Sequence, residues 1–142
     1  MIALQYKPLD IAAIEQTVHS PKCGAVLVFV GRTRDNFEQK KVLSLEYEAY
    51  EAMAIKELEA IADELQREYL GTRISMVHRL GSVPIAEASV VIAVATPHRD
   101  QCYQVSRKAI EALKSRVPIW KKEVYQEGEA WKANQFKSQI PD

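Results

Sequence analysis

The chain has 142 residues, 47% hydrophobic and 27% charged, with 19 basic and 19 acidic side chains. That length predicts one domain burying roughly 70% of its extended surface, enough for a core without disulfides or a structural metal. The apolar share excludes a disordered chain, and the balanced charge excludes wholesale nucleic-acid binding, which needs excess Lys and Arg. In chain order, residues 2–6 read as a short strand, and Asp10 caps a helix carrying Ile11, Ile14 and Val18 at helical spacing. Residues 25–30 are a β-branched run, read as a strand buried on both faces. Residues 31–41 are polar and aperiodic, which predicts a loop. Leu43, Leu45, Tyr47 and Ala49 then alternate with polar residues as a half-buried strand does. Residues 50–70 are helical in period, with Ala54, Leu58, Ile61 and Leu65 on one face and Gly71 placed for a left-handed cap.

Ile74, Met76, His78 and Leu80 alternate again, residues 81–88 read as turns around Pro84, and residues 89–95 form a second buried strand. Asp100 caps a helix to about Arg116, Pro118 stops it, and residues 119–125 read as the last strand. Strands and helices mix without strict βαβ alternation, so the expected class is α+β.

No apolar run approaches the ~20 residues that span a bilayer. The first residues lack the basic-then-apolar order of a signal peptide. The expectation is a soluble, cytoplasmic protein with no membrane partner. Cys23 and Cys102 stand far apart, and His19, His78 and His98 are scattered. Neither a metal site nor a dedicated disulfide is expected.

The zero net charge hides an asymmetry. Residues 46–68 hold eight acids and two bases, whereas residues 98–122 hold seven bases and two acids. The second stretch is where an anionic ligand is sought; two ordinary solvated helix faces are the plainer alternative. Within it, Pro97-His98-Arg99-Asp100 lies between a buried strand and a helix start. Cations there oppose the positive end of the helix dipole unless an anion joins them. A solvated turn neutralised by Asp100 would also account for the pattern. His-Arg-Asp also occurs in kinase catalytic loops, but the chain is too short for that fold and has no glycine-rich loop.

Gly31-Arg32-Thr33-Arg34 follows a strand end, where two arginines can reach one ligand with planar paired donors. Lys114, Arg116, Lys121 and Lys122 flank Pro118 and Trp120. A tight turn there can set Lys114 beside Lys121, and two adjacent ammonium groups lower each other's pKa, one route to a nucleophilic amine. Lys114 taken alone also suits a helix end electrostatically.

Several motifs, in order, are similar to the catalytic (large) subunit of molybdopterin synthase: Phe29-Val30-Gly31, Leu45-Glu46-Tyr47-Glu48-Ala49-Tyr50, His78-Arg79-Leu80-Gly81, His98-Arg99, and Lys114 with Pro118-Ile119-Trp120-Lys121-Lys122-Glu123. The likeness covers residues 24–131, so the whole chain, 1–142, is read as one such domain with a flexible tail after about residue 131. It implies an α/β-hammerhead with a mixed sheet, two main helices and a short N-terminal helix. It implies sulfur transfer from the Gly-Gly thiocarboxylate tail of a small ubiquitin-like carrier to cyclic pyranopterin monophosphate, within a heterotetramer built on a central homodimer. No cofactor is implied. Lys114 and Lys121 are the catalytic residues on this likeness. Arg32, Thr33, Arg34, His98, Arg99, Lys114, Lys121, Lys122 and Glu123 are the substrate contacts, Thr33 without a side-chain role. Pro97 stands where the family often has a small residue. Two other classes compete: a non-catalytic adaptor for a ubiquitin-like protein, which needs neither lysine pair nor anion site, and a persulfide carrier using Cys102.

Overall fold

A computed structural model of the chain describes residues 1–126, side chains included, and the backbone of 128–133. Among these residues lie nine strands and three helices: β1 (Ile2–Gln5), α1 (Ile11–Gln16), β2 (Ala25–Arg32), β3 (Asn36–Phe37), β4 (Lys40–Ala49), α2 (Glu51–Glu68), β5 (Arg73–Arg79), β6 (Gly81–Pro84), β7 (Ala88–Thr96), α3 (Arg99–Arg116), β8 (Ile119–Tyr125) and β9 (Gly128–Ala133). One sheet runs β1-β5-β7-β2, with β1 parallel to β5 and the other pairs antiparallel. A second runs β3-β4-β8-β9, and β6 also pairs with β4. The class is α+β with mixed pairing. The tail beyond Ala133, read as flexible, lies outside the described residues.

β7 is buried along its whole length because both neighbouring positions are filled and both faces are covered. On one face Leu58, Ile61, Val105 and Leu113 of α2 and α3 pack against Met76, Ile92 and Val94. On the other, Ile14 and the following Val18 pack against Val77, Val91 and Ala93. Asp10 caps α1 as expected, its carboxylate accepting from the Ala13 amide at 3.0 Å. After α2, Gly71 takes φ +83°, and a Cβ there would stand 2.9 Å from the Pro97 ring. Only glycine combines that dihedral with that approach.

Several expectations change. The 25–30 run is not buried on both faces: β2 is an outer strand, with Val26 37% exposed. The 31–41 loop contains the end of β2 and a β3–β4 hairpin closed by Glu38 and Gln39. The 81–88 turns shrink to residues 85–87, because β6 aligns Gly81–Pro84 against residues 44–47. In β4 the pairing slips between Val42 and Ser44, turning Val42 inward and leaving Leu43 exposed. His98, not Asp100, is the N-cap of α3; Pro97 forbids helical geometry before it, and the Thr96 hydroxyl donates to the His98 carbonyl at 2.6 Å. Residues 119–125 are followed by one more strand, β9.

Candidate active site

The end of β2 is steered by a bulge. Its register with β7 slips between Gly31 and Arg32, and the Ser89 hydroxyl donates to the Gly31 carbonyl at 3.3 Å. A side chain at Gly31 would meet Val90 at 2.7 Å, so strand and neighbour approach this closely only with glycine. Beyond the slip, Arg32 and Arg34 both line a cavity of about 280 Å³. Thr33 between them is buried, its amide bonded to the Glu87 carbonyl at 3.1 Å and its hydroxyl to the Val83 carbonyl at 3.4 Å. Alternation thus turns both arginines to the cavity and the threonine into the wall.

The opposite wall comes from the last turn of α3 and from β8. Lys114 lines the cavity from the helix. Val117 and Pro118 reverse the chain, and β8 then presents Lys121 and Glu123 on one face to the same space. The tight turn between helix and strand does set Lys114 and Lys121 on one cavity. Glu123 is 3% exposed, and its Oε2 accepts from the Tyr125 hydroxyl at 2.9 Å. Burial pushes the Tyr125 phenol up to about 12, with the Glu123 hydrogen bond and the charges of Glu123 and Glu38 adding to it. The phenol therefore stays a donor.

His78 forms part of the floor. Its Nδ1 lies 2.8 Å from the Arg79 carbonyl, which can only accept, so Nδ1 carries the proton and Nε2 keeps a lone pair. The Tyr47 ring meets it edge-on at 4.8 Å. Burial drives its pKa down to about 4; the Lys114 charge acts the same way, against the Arg79 hydrogen bond. The imidazole is neutral at physiological pH.

Of the nine residues expected at the site, the chain brings Arg32, Arg34, Lys114, Lys121 and Glu123 together. Lys122 faces away from the cavity and pairs with Glu46, its register partner, at 3.1 Å. His98 and Arg99 start α3, whereas Lys114 ends it. Fifteen residues of helix put about 22 Å between Arg99 and Lys114. Arg116, grouped with the lysines by sequence, turns to α2 instead, meeting Glu57 at 2.8 Å and Glu64 at 2.8 Å. Its hydrogen bond holds Glu64 below the usual carboxylate range. Lys108 of α3 likewise meets Glu68 at 3.1 Å. These ion pairs, with Lys122–Glu46, join the acidic stretch to the basic one. Among the described residues, no cluster of three or more His, Cys, Asp or Glu is placed to hold a metal ion. No helix among them is long and apolar enough to cross a membrane.

Residues 4–116 match the family model described as MoaE protein. The chain belongs to the MoaE protein family. A Drosophila melanogaster relative described as a molybdopterin synthase catalytic subunit is 51% identical over 136 residues, 94% of this chain. The chain spans only 37% of that relative's length. The crystal structure of molybdopterin synthase from Staphylococcus aureus superposes with a TM-score of 0.89 at 39% identity, covering 92% of this chain and 95% of that one. A Helicobacter pylori protein–protein complex of subunits 1 and 2 of molybdopterin-converting factor superposes at 0.77 with 25% identity, covering 92% and 88%.

Within this MoaE chain the matched region reaches Arg32, Arg34, His78 and Lys114 and stops before Lys121 and Glu123. Among the residues that escape the sequence reading are His78 and Phe37, which line the cavity, and Tyr125, which reaches it through its hydrogen bond to Glu123. His78 has a signal, a titratable residue at an inward position of an alternating strand. Tyr125 has one too, since it shares a strand face with Glu123. Phe37 has none, because its two-residue strand carries no pattern.

Proposed function

We propose that this MoaE family chain is the catalytic subunit of a molybdopterin synthase. It takes the C-terminal Gly-Gly thiocarboxylate of a small ubiquitin-like carrier and passes sulfur to cyclic pyranopterin monophosphate, forming the molybdopterin dithiolene. The observation that carries the reading is one cavity with Lys114 and Lys121 on one wall and Arg32 and Arg34 on the other. The arginines offer planar donors to an anionic substrate. The lysines attract the anionic tail; an amine among them takes the acyl carbon as the carbon–sulfur bond breaks and the sulfur stays on the pterin. Water then attacks that acyl carbon, freeing the amine and returning the carrier as its carboxylate. Buried Glu123 balances these charges and receives a proton. The similarity to a two-subunit converting factor supports a separate carrier as the sulfur source.

The thiols support the same source. Burial pushes Cys102 above the usual thiol range, and its Sγ donates to the Val94 carbonyl at 3.3 Å. Such a thiol is a poor persulfide carrier. Neither Cys102 nor Cys23 lines the cavity. An adaptor would have no use for a cavity lined by two lysines and two arginines.

His98 and Arg99 enter this reading through a second copy. At about 22 Å from Lys114 along a rigid helix, they cannot share a small substrate with the lysine of their own chain. In a two-fold dimer the start of one α3 can lie over the cavity of the other copy. The function is tested by mixing this protein with thiocarboxylated carrier and cyclic pyranopterin monophosphate and reading the products by mass spectrometry. A pterin heavier by two sulfurs, with carrier returned as the carboxylate, is expected. An unchanged pterin with folded components would overturn the assignment.

A further inference from the structure

Arg79 is a charged residue in an expensive place. It is 8% exposed, its Nη1 donates to Glu87 Oε1 at 2.8 Å, and its buried Nε has no hydrogen-bond partner. A buried guanidinium held by one half-exposed carboxylate adds little to folding that an apolar side chain of similar size would not. Its placement has a different consequence. Glu87 ends the short turn between β6 and β7, and that turn is the surface on which the Arg32–Arg34 segment rests. The Glu87 carbonyl accepts from the Thr33 amide at 3.1 Å, the Thr33 carbonyl accepts from the Ala86 amide at 2.8 Å, and Arg32 Nη1 donates to the Ala86 carbonyl at 2.8 Å. Ala86 itself sits at φ +70°, a conformation an alanine does not hold unaided.

We infer that the Arg79–Glu87 ion pair is a positioning device for the two cavity arginines, anchoring the β6–β7 turn that in turn fixes Arg32 and Arg34. Arg79 belongs to β5, a strand inside the four-stranded sheet, so the pair ties the rigid part of the fold to an exposed turn. Without it, the strained turn relaxes, the three bonds to residues 32 and 33 loosen, and the arginines lose their fixed spacing over the cavity. Arginine suits the task because its planar fork reaches the carboxylate with little loss of freedom. The inference deepens the proposed function and rests on it for its kinetic consequences.

Arg79→Met is the variant of choice, since it removes the buried charge while Glu87, 46% exposed at its side chain, returns to water. The unfolding midpoint should hold or rise. Hydrogen exchange at the Thr33 and Ala86 amides should quicken by about tenfold, with the β5–β7 ladder unchanged. The KM for cyclic pyranopterin monophosphate should rise about tenfold with kcat within about twofold, the signature of lost ground-state binding. Arg79→Lys, which keeps a cation within reach of Glu87, should recover most of that KM. In an Arg32→Ala, Arg34→Ala background, Arg79→Met should add less than about twofold, because the residues it acts through are gone. Unchanged exchange at both amides would overturn the inference, as would a full KM effect in that background. Absence of any dithiolene from the wild-type protein would instead sink the proposed function, and the exchange measurement would still decide the brace.

Discussion

Burial holds the His78 imidazole neutral down to about pH 4, with the Lys114 charge assisting and the Arg79 hydrogen bond opposing. In the unfolded chain the same histidine takes a proton near pH 6.5. Between those values the unfolded state binds more protons, so stability falls as pH drops from 6.5 and the loss is complete below 4. A shift of this size corresponds to about 3 kcal/mol. Urea unfolding at intervals from pH 7 to 4.5 should show this slope in the wild type and a shallower one in His78→Gln; parallel curves would contradict it. Lys114 is the other residue where charge and reactivity separate. Lys114→Ala should still bind carrier while product formation falls on the order of a hundredfold or more. Lys114→Arg should fail nearly as far in a single-turnover assay, because guanidinium keeps the charge and supplies no neutral amine. A fully active Lys114→Arg protein would show that only the charge matters.

Among the elements, the β3–β4 hairpin is the least comfortable. Its two turn residues, Glu38 and Gln39, hold φ values of 51° and 66°, the arrangement that Asn-Gly adopts without strain. Replacing Glu38-Gln39 with Asn-Gly should raise stability by about 1 kcal/mol, seen as a higher urea midpoint at unchanged slope. No shift would mean that the hairpin, and with it Phe37 at the cavity edge, is set by packing and not by its turn. That strain also explains why the hairpin was hidden in the sequence: Glu-Gln carries no turn signal, and β3 is two residues long. β6 was hidden for a related reason, since Val83 is its single buried apolar residue. Long elements were legible because α2, α3 and β7 repeat their apolar pattern several times over. Lys114 and Lys121 could be paired from sequence because seven residues and a proline turn leave the chain few other paths. Lys122 could have been excluded from the sequence, because residues 119–125 already read as a strand and alternation sends it to the face opposite Lys121 and Glu123. The slip in β4 was not legible, because alternation read through Leu43 fits the pattern as well as alternation read through Val42.

At the scale of the molecule, α2 and α3 are joined by opposite charge, through Arg116 with Glu57 and Glu64 and Lys108 with Glu68. The cations that line the cavity are Arg32 at the end of β2, Arg34 just beyond it, Lys114 in the last turn of α3 and Lys121 of β8. The start of α3 is too far away to serve the same cavity, so the proposed site is shared between two copies: lysines from one chain, His98 and Arg99 from the other. Mixing two variants tests this directly. Lys114→Ala and Arg99→Glu proteins should each be nearly inactive as homodimers. Once their subunits exchange, half the dimers are mixed and each holds one intact site, so activity should return to about a quarter of wild type. A mixture no more active than its two parents, with exchange of subunits demonstrated, would contradict a site built from two chains.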